Sequence, residues 1–299
     1  MQEKPLGSIV ETCLDYRPKI LECSHGNRND PCTAPPIIMR DLVSLAAHSP
    51  CRIILPMPSP HTSRTQAPPY DSAAALAALT VADPKLAKLI ARVGPFTMRI
   101  SPKQSPFEAL TEAIIYQQLH GKAAATIHAR LLHSFSSLAH MADPREPLHH
   151  RHPTPQEILD APNEQLRSAG LSANKALALR DLAAKTLDGT VPPMARIRKM
   201  SDADIIEHLI QVRGIGKWTV EMLLMFRLGR PNVLPTSDFG IRKGFALTFL
   251  GLKPTTKLTP ALLATPAQIE RRAKKWAPWC SVASWYMWRA CDLAKPVKE

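Results

Sequence analysis

Apolar residues recur every three or four positions along most of the chain after residue 71, which predicts helices rather than strands. The pattern predicts helices at 72–79, 84–93, 106–120, 122–135, 155–160, 162–168, 172–187, 202–211, 220–228, 239–250, 266–275 and 281–293. No stretch after residue 71 alternates in the manner of a β-strand. We therefore expect an all-α fold, with the histidine-containing stretch 136–154 as a surface loop.

Residues 1–70 have a different composition from the rest of the chain. They hold 11 of the 29 prolines and four of the six cysteines, and their short apolar runs are broken by prolines. Such a segment buries little apolar surface and contains many helix-breaking residues. We predict a poorly ordered N-terminal extension at 1–70 and a helical domain at 71–299.

A turn with two glycines joins the helices predicted at 202–211 and 220–228. Glycine allows a positive φ and lets another surface approach without a Cβ atom in the way. Gly216 precedes a helix N-terminus, where free N–H groups and the helix dipole attract anions, and Lys217 adds a positive charge. The turn Val212-Arg213-Gly214-Ile215-Gly216-Lys217 thus indicates a phosphate clamp, although a helix–helix turn of no special function has the same pattern.

The charge of the chain points to an anionic partner. The net charge is +13, of which residues 1–70 contribute +1 and residues 71–299 contribute +12. A basic surplus on the globular part suits a polyanion such as nucleic acid. No apolar run reaches the roughly 18 residues of a membrane span and no signal sequence opens the chain, so we expect a soluble, cytoplasmic protein.

These residues together resemble a known family. The run 212–220 resembles the helix-hairpin-helix motif of the DNA glycosylase superfamily, and 233–240 resembles its Gly/Pro-rich loop with an aspartate, Asp238, 22 residues beyond Gly216. Within the superfamily, the chain resembles the bacterial 3-methyladenine DNA glycosylase II group, which removes alkylated bases. The resemblance implies two helical subdomains separated by a cleft, and a monomeric enzyme acting on double-stranded DNA that contains a damaged base.

Asp238 is the candidate catalytic residue. Breaking an N-glycosidic bond leaves positive charge on the sugar, and a carboxylate in a site that excludes water stabilises that charge. An aspartate at this place also suits the N-cap of the following helix, and both roles are compatible. Relatives often have a second acidic residue just before it, where this chain has Ser237.

The base would have to be flipped out of the duplex, and aromatic rings would stack on it and attract its positive charge. By resemblance, Trp218, Phe239 and Trp288 are pocket residues and Tyr116 is a further candidate. Four of the five tryptophans lie within 276–288, and packing in the core is the alternative for them. The resemblance makes Gln118 the wedge that fills the gap left by the base, with Leu119 beside it; a solvated helix end is the alternative.

The remaining expectations concern DNA contacts, ions and strand cleavage. The resemblance assigns backbone contacts to Gly214, Gly216, Lys217 and Thr219, and a monovalent cation (Na+ or K+) to the carbonyls of Ile210, Val212 and Ile215. No C-x-x-C pair occurs and only two cysteines follow residue 51, so we expect neither a catalytic metal nor an iron–sulfur cluster.

Strand-cleaving members carry a lysine nucleophile where this chain has Trp218, so we expect a monofunctional enzyme. The alternatives are a glycosylase for a deaminated or oxidised base, and a non-catalytic DNA-binding module.

Overall fold

The computed structural model describes residues 65–101, 105–142 and 151–294. Every regular element in these residues is a helix, apart from one antiparallel bridge between Gln66 and Ile100. None of the helices in these ranges is long and apolar enough to cross a membrane. The α-helices are α1 (Ser72–Ala82), α2 (Pro84–Val93), α3 (Pro106–Tyr116), α4 (Gly121–Ala142), α5 (Pro155–Asp160), α6 (Asn163–Ser168), α7 (Ala173–Leu187), α8 (Met194–Ile197), α9 (Asp202–Leu209), α10 (Lys217–Phe226), α11 (Phe239–Phe249), α12 (Pro266–Ala273) and α13 (Cys280–Leu293), with a 3₁₀ helix at Pro260–Leu262.

The all-α prediction is confirmed, and the main error concerns α4. This helix continues to Ala142, so the expectation of a loop is wrong for residues 136–142. The physical reason is that neither glycine nor proline interrupts the chain between Lys122 and Ala142. Residues 143–150 lie outside the described residues, and so does the predicted extension up to residue 64.

Polar side chains determine where several helices begin. Ser105, Thr154 and Thr265 each form a capping box at the first turn of α3, α5 and α12. Asp83 and Asp238 cap α2 and α11, and both are almost completely buried. Since a buried carboxylate is costly without partners, these two caps have further contacts, which are described below.

The helices pack as two groups. The terminal group contains α1, α2, α11, α12 and α13, and the central group contains α3 to α7 together with the α9–α10 hairpin. In the terminal group, a Cβ atom on Gly244 would come within 2.0 Å of the Met287 carbonyl oxygen, so α11 and α13 approach as closely as a glycine allows. The chain crosses between the groups before α3 and again between α10 and α11.

Two hydrogen bonds next to this junction hold the end of α10 in place. The buried carboxylate of Glu112 on α3 accepts a hydrogen bond of 2.6 Å from Arg227, which follows α10. The N–H of Ser101 donates to the carbonyl of Phe226 at 2.9 Å. The end of α10 is therefore held firmly, and its start carries the residues discussed next.

Candidate active site

Asp238 lies at the junction of the two groups, at the N-terminus of α11. Its side chain is 2% exposed and its Oδ1 accepts the N–H of Ile241 at 2.8 Å. The active-site loop, residues 230–237, leads into it and is anchored by the first turn of α13. Ser281 Oγ donates to the Arg230 carbonyl at 2.6 Å and accepts from the Val233 N–H at 3.0 Å. The anchored loop before Asp238 and the helix after it thus both fix the position of the carboxylate.

Two tryptophans from different groups converge on this carboxylate. Trp218 on α10 donates its Nε1–H to Oδ2 at 2.9 Å, and Trp288 on α13 donates to Oδ1 at 2.8 Å. Gly240 makes the second contact possible, because a Cβ atom there would lie 2.6 Å from Trp288 Cδ1. Together with the helix N-terminus, these bonds orient the carboxylate of Asp238. Among the described residues no cation forms an ion pair with it.

Asp238 acts electrostatically on a second acidic residue, Glu221. It lies one helical turn beyond Trp218 and is 4% exposed, and its Oε2 has no hydrogen-bond partner among the described residues. Its Oε1 is 3.8 Å from Nζ of Lys217. Burial raises the pKa of Glu221 to about 7; Lys217 opposes this shift and the charge of Asp238 adds to it. Sequence reasoning missed Glu221, although its i+3 spacing from Trp218 places the two on one helix face.

The predicted pocket aromatics differ in exposure. Phe239 is 43% exposed on the first turn of α11, and Trp218 is half-buried. Trp288 is 6% exposed and stacks on Phe226, with ring centroids 5.8 Å apart. Trp218 and Trp288 meet at Asp238, and Phe239 follows it directly.

Tyr116 has a different setting, at the end of α3. It is half-buried and lies edge-on to His128, with centroids 6.3 Å apart. His128 in turn lies 5.2 Å from the ring of His152. His152 is therefore packed against α4 rather than fully solvated, as a surface loop would have left it. In the ranges described, no cluster of three His, Cys, Asp or Glu residues is arranged to hold a metal ion.

The two glycines of the hairpin turn, residues 210–216, have different conformations. Gly214 has a φ of +77°, which favours glycine, whereas Gly216 has a φ of −100° and needs no such freedom. A Cβ atom on Gly216 would meet only open space, so its absence keeps the start of α10 uncovered. Lys217 is exposed there, while Thr219 is 8% exposed and offers a backbone N–H rather than its hydroxyl.

Neighbouring elements hold the hairpin turn through its backbone. Two contacts come from α7 and one comes from the turn between α3 and α4. They are Lys185 Nζ to the Gln211 carbonyl, Asp181 Oδ2 to the Arg213 N–H at 2.6 Å, and Gln117 Nε2 to the Gly214 carbonyl at 2.9 Å.

The carbonyls predicted to bind a cation fit that role. Within the described part of the chain, no donor approaches the carbonyls of Ile210 and Ile215. The Val212 carbonyl accepts only the N–H of Ile215, at 3.0 Å, and keeps a free lone pair. Three oxygen ligands from one tight turn are the donor type that hard cations prefer.

The predicted wedge residues lie in the wedge turn, residues 117–120, between α3 and α4. Gln118 is exposed and has a φ of +59°, and it is the one non-glycine residue with a positive φ in the described ranges. Leu119 beside it is half-buried. The side chain of Gln118 is therefore presented to the outside by an unusual backbone conformation.

Comparison with known proteins agrees with this geometry. Residues 111–276 match the model of the HhH-GPD superfamily base excision DNA repair proteins, and this range contains the hairpin turn and Asp238. The chain belongs to the HhH-GPD superfamily. The family assignment made from the hairpin and the aspartate is thereby confirmed.

Individual HhH-GPD proteins show how far the similarity extends. DNA-3-methyladenine glycosylase 1 of Schizosaccharomyces pombe is 35% identical, over 72% of this chain and 85% of that protein. A solved structure of the Schizosaccharomyces pombe 3-methyladenine DNA glycosylase in complex with abasic DNA has a TM-score of 0.56 at 32% identity, covering 72% of this chain and 95% of that one. DNA-3-methyladenine glycosylase 2 of Escherichia coli is 30% identical over 46% of this chain and 42% of its own length.

Proposed function

We propose that this HhH-GPD protein is a monofunctional DNA glycosylase that removes alkylated bases of the 3-methyladenine and 7-methylguanine type from duplex DNA. The observation that carries the proposal is the carboxylate of Asp238, which is buried and oriented by Trp218, Trp288 and the start of α11, and which no cation of the described residues pairs with. The names of its relatives support the same substrate class.

The chemistry follows from this electrostatic environment. After the damaged nucleotide has been flipped out, the bond between C1′ and the base nitrogen breaks and its electron pair leaves with the base. An alkylated base is cationic, so it departs as a neutral molecule and needs no proton donor. The positive charge that develops on the sugar is stabilised by Asp238, whose orientation requires no rearrangement during the reaction. Water then adds to C1′ and loses a proton, leaving an abasic site.

The indole rings serve two purposes in this proposal. Their N–H edges orient Asp238, and their faces remain available for stacking on other rings. The half-buried Trp218 and the exposed Phe239 flank the carboxylate and can stack on the extruded base. Stacking contributes about 1–3 kcal/mol per base, and a cationic base adds an attraction to the electron-rich ring.

The hairpin turn binds the DNA backbone in this scheme. Lys217 and the free N–H groups at the start of α10 contact a phosphate, and the carbonyls of Ile210, Val212 and Ile215 would hold a Na+ or K+ ion. The ion would supply a positive charge next to the phosphate and no step of the reaction. Gln118 enters the duplex as the wedge.

Release of free base from methylated duplex DNA tests the proposal, with wild type and Asp238→Asn side by side. We expect release by the wild type and a loss of at least about a hundredfold in the variant. Both proteins should bind abasic-site DNA with similar affinity. Failure of the wild type to release any methylated base, or release of uracil or hypoxanthine alone, would refute the substrate assignment.

Strand cleavage tests the monofunctional assignment. Trp218 has no nucleophilic amine, and Nζ of Lys217 lies 3.8 Å from Oε1 of Glu221. We expect an intact strand that breaks only on alkali treatment, and no covalent complex on borohydride reduction. Efficient trapping of the wild-type protein would show a lysine nucleophile and contradict the assignment.

The salt dependence of binding tests whether Lys217, next to the hairpin turn, contacts a DNA phosphate. Lys217→Ala should weaken binding to any duplex and reduce the slope of log affinity against log salt by about one unit for one lost phosphate contact. Lys199→Ala is a control for the loss of one exposed lysine on the chain. Equal slopes for wild type and Lys217→Ala would remove Lys217 from the DNA interface.

A further inference from the structure

A lysine from α7 reaches across to the end of α3. Lys175 belongs to the first turn of α7, where its own N–H is capped by Ser172. Its Nζ donates to the carbonyl of Ile115 at 2.6 Å and to that of Gln117 at 2.8 Å. These carbonyls lie at the C-terminal end of α3, where the helix leaves acceptors without intrahelical donors and where positive charge is favourable.

Gln117 extends this connection to the hairpin turn. Its backbone carbonyl accepts from Lys175, and its side-chain Nε2 donates to the Gly214 carbonyl at 2.9 Å. Gln117 and Gly214 are 97 positions apart in the chain. Three separate segments, the end of α3, the start of α7 and the hairpin turn, are thus joined at one residue.

The residue that follows this junction is the predicted wedge. Gln118 has a φ of +59°, a conformation that is unfavourable for a non-glycine residue. A strained conformation of this kind persists only where the surrounding contacts determine it. The hydrogen bonds to and from Gln117, directly before it, provide those contacts.

We propose that Lys175 and Gln117 are positioning residues, which hold Gln118 in its left-handed conformation as a preformed wedge at a fixed distance from the phosphate-binding hairpin turn. The inference rests on the proposed function. A wedge whose backbone is already fixed loses less conformational entropy when it enters the duplex, so the protein favours DNA with a gap in the stack over intact DNA. Neither residue has to touch the DNA.

The experiment compares affinities for two duplexes of identical sequence, one with a tetrahydrofuran abasic-site analogue and one intact. Lys175→Met keeps the length of the side chain and removes the donors. We expect the preference for the abasic duplex to fall by about tenfold, while the affinity for the intact duplex changes less than about twofold, because the clamp is unaltered. Lys175→Arg, which retains donors for both carbonyls, should restore much of the preference.

Two further variants separate positioning from a general loss of structure. Gln117→Met removes only the link to Gly214 and should reduce the same preference. Gln165→Met is the matched control, because it removes an amide-to-carbonyl bond to Ser134 that lies in other helices of the central group. It should change thermal stability without changing the preference. If Lys175→Met fails to fold, Gln117→Met and Lys175→Arg still decide the question.

The outcomes distinguish this inference from the proposed function. A wild-type protein that releases no methylated base contradicts the proposed function, whatever the variants do. A wild type that releases base and prefers abasic DNA, with Lys175→Met and Gln117→Met retaining that preference, overturns the inference alone. Equal weakening of both duplexes would also overturn it, because that result indicates damage to the clamp.

Discussion

Two buried aspartates in this protein are held by the same kinds of hydrogen bond, but only one of them is paired with a cation. Asp83 and Asp238 each cap a helix and each accept the indole N–H of a tryptophan, at 3.0 Å from Trp276 and at 2.8 and 2.9 Å from two tryptophans respectively. Asp83 also receives two hydrogen bonds from Arg272, at 2.6 and 2.7 Å. Asp238 has no such cation among the described residues, so its negative charge remains available to a cationic ligand or transition state.

The electrostatic surroundings reinforce the difference. Burial opposes ionisation of Asp83, but hydrogen bonds from Arg272 and Trp276 outweigh it, so the pKa of this carboxyl is lowered. The Asp83 pair joins α2 to α12 and has a structural role. At Asp238 the nearby ionisable group is another acid, Glu221, and burial, together with the charge of Asp238, raises its pKa to about 7. A buried aspartate that caps a helix and accepts an indole N–H is therefore not by itself an active-site residue. What distinguishes Asp238 is that no cation of the described residues pairs with it.

The largest difference between the two aspartates is expected when each is neutralised in turn. Asp238→Asn should lower base release at least about a hundredfold with a small change in melting temperature. Asp83→Asn should leave Arg272 without its partner and lower the free energy of unfolding by about 2–3 kcal/mol, less than for a fully buried pair because Arg272 is partly exposed. Base release per folded molecule should stay near wild type. Thermal unfolding and single-turnover rates measure both, and similar effects of the two variants would contradict the distinction.

A smaller effect is expected from removing one tryptophan donor at each aspartate. Trp288→Phe keeps a ring against Phe226 and deletes the N–H that orients Asp238, and it should lower the single-turnover rate by about tenfold. Trp276→Phe is its counterpart at Asp83 and should reduce stability while leaving the rate unchanged. A Trp288→Phe enzyme with the wild-type rate would show that this bond does not orient the carboxylate for catalysis.

The most subtle test uses pH, because the two acids Asp83 and Glu221 have pKa shifts of opposite sign. The pKa of Glu221 is raised from 4.5 to about 7, so the folded state resists its ionisation and loses stability as pH rises from about 4.5 through 7. Glu221→Gln should therefore stabilise the protein at pH 8, by up to about 3 kcal/mol, and have little effect at pH 4.5. The pKa of Asp83 is lowered, so its contribution is present above its unfolded pKa and is lost as pH falls.

Melting temperatures of both variants and wild type across pH 4 to 8 supply the measurement. The difference between Glu221→Gln and wild type should grow with pH, and the destabilisation caused by Asp83→Asn should also be largest at neutral pH. A difference for Glu221→Gln that is constant with pH would mean that Glu221 ionises as an ordinary exposed acid does.

Much of the fold and part of the site follow from local sequence. The apolar repeats predict the helices, because a helix buries one face every three or four residues. The main departures are the length of α4, the short α8, the end of α3 at Tyr116 rather than at 120 and the start of α10 at Lys217 rather than at 220. The hairpin turn was predicted from its two glycines, of which Gly214 has the positive φ that favours glycine. Asp238 was predicted from the family resemblance, with the helix cap as a compatible role. The superfamily was recognised from the same two features.

The tertiary structure decided which of these residues act together. The two indole N–H groups on Asp238 come from residues 20 and 50 positions away, and Gln117 meets Gly214 across 97 positions. No local periodicity encodes such contacts, because they depend on how two groups of helices pack. The same holds for the charge at each aspartate, because packing brings Arg272 to Asp83 and Glu221 near Asp238. Local propensity thus determined the elements, and long-range packing and electrostatics determined the chemistry between them.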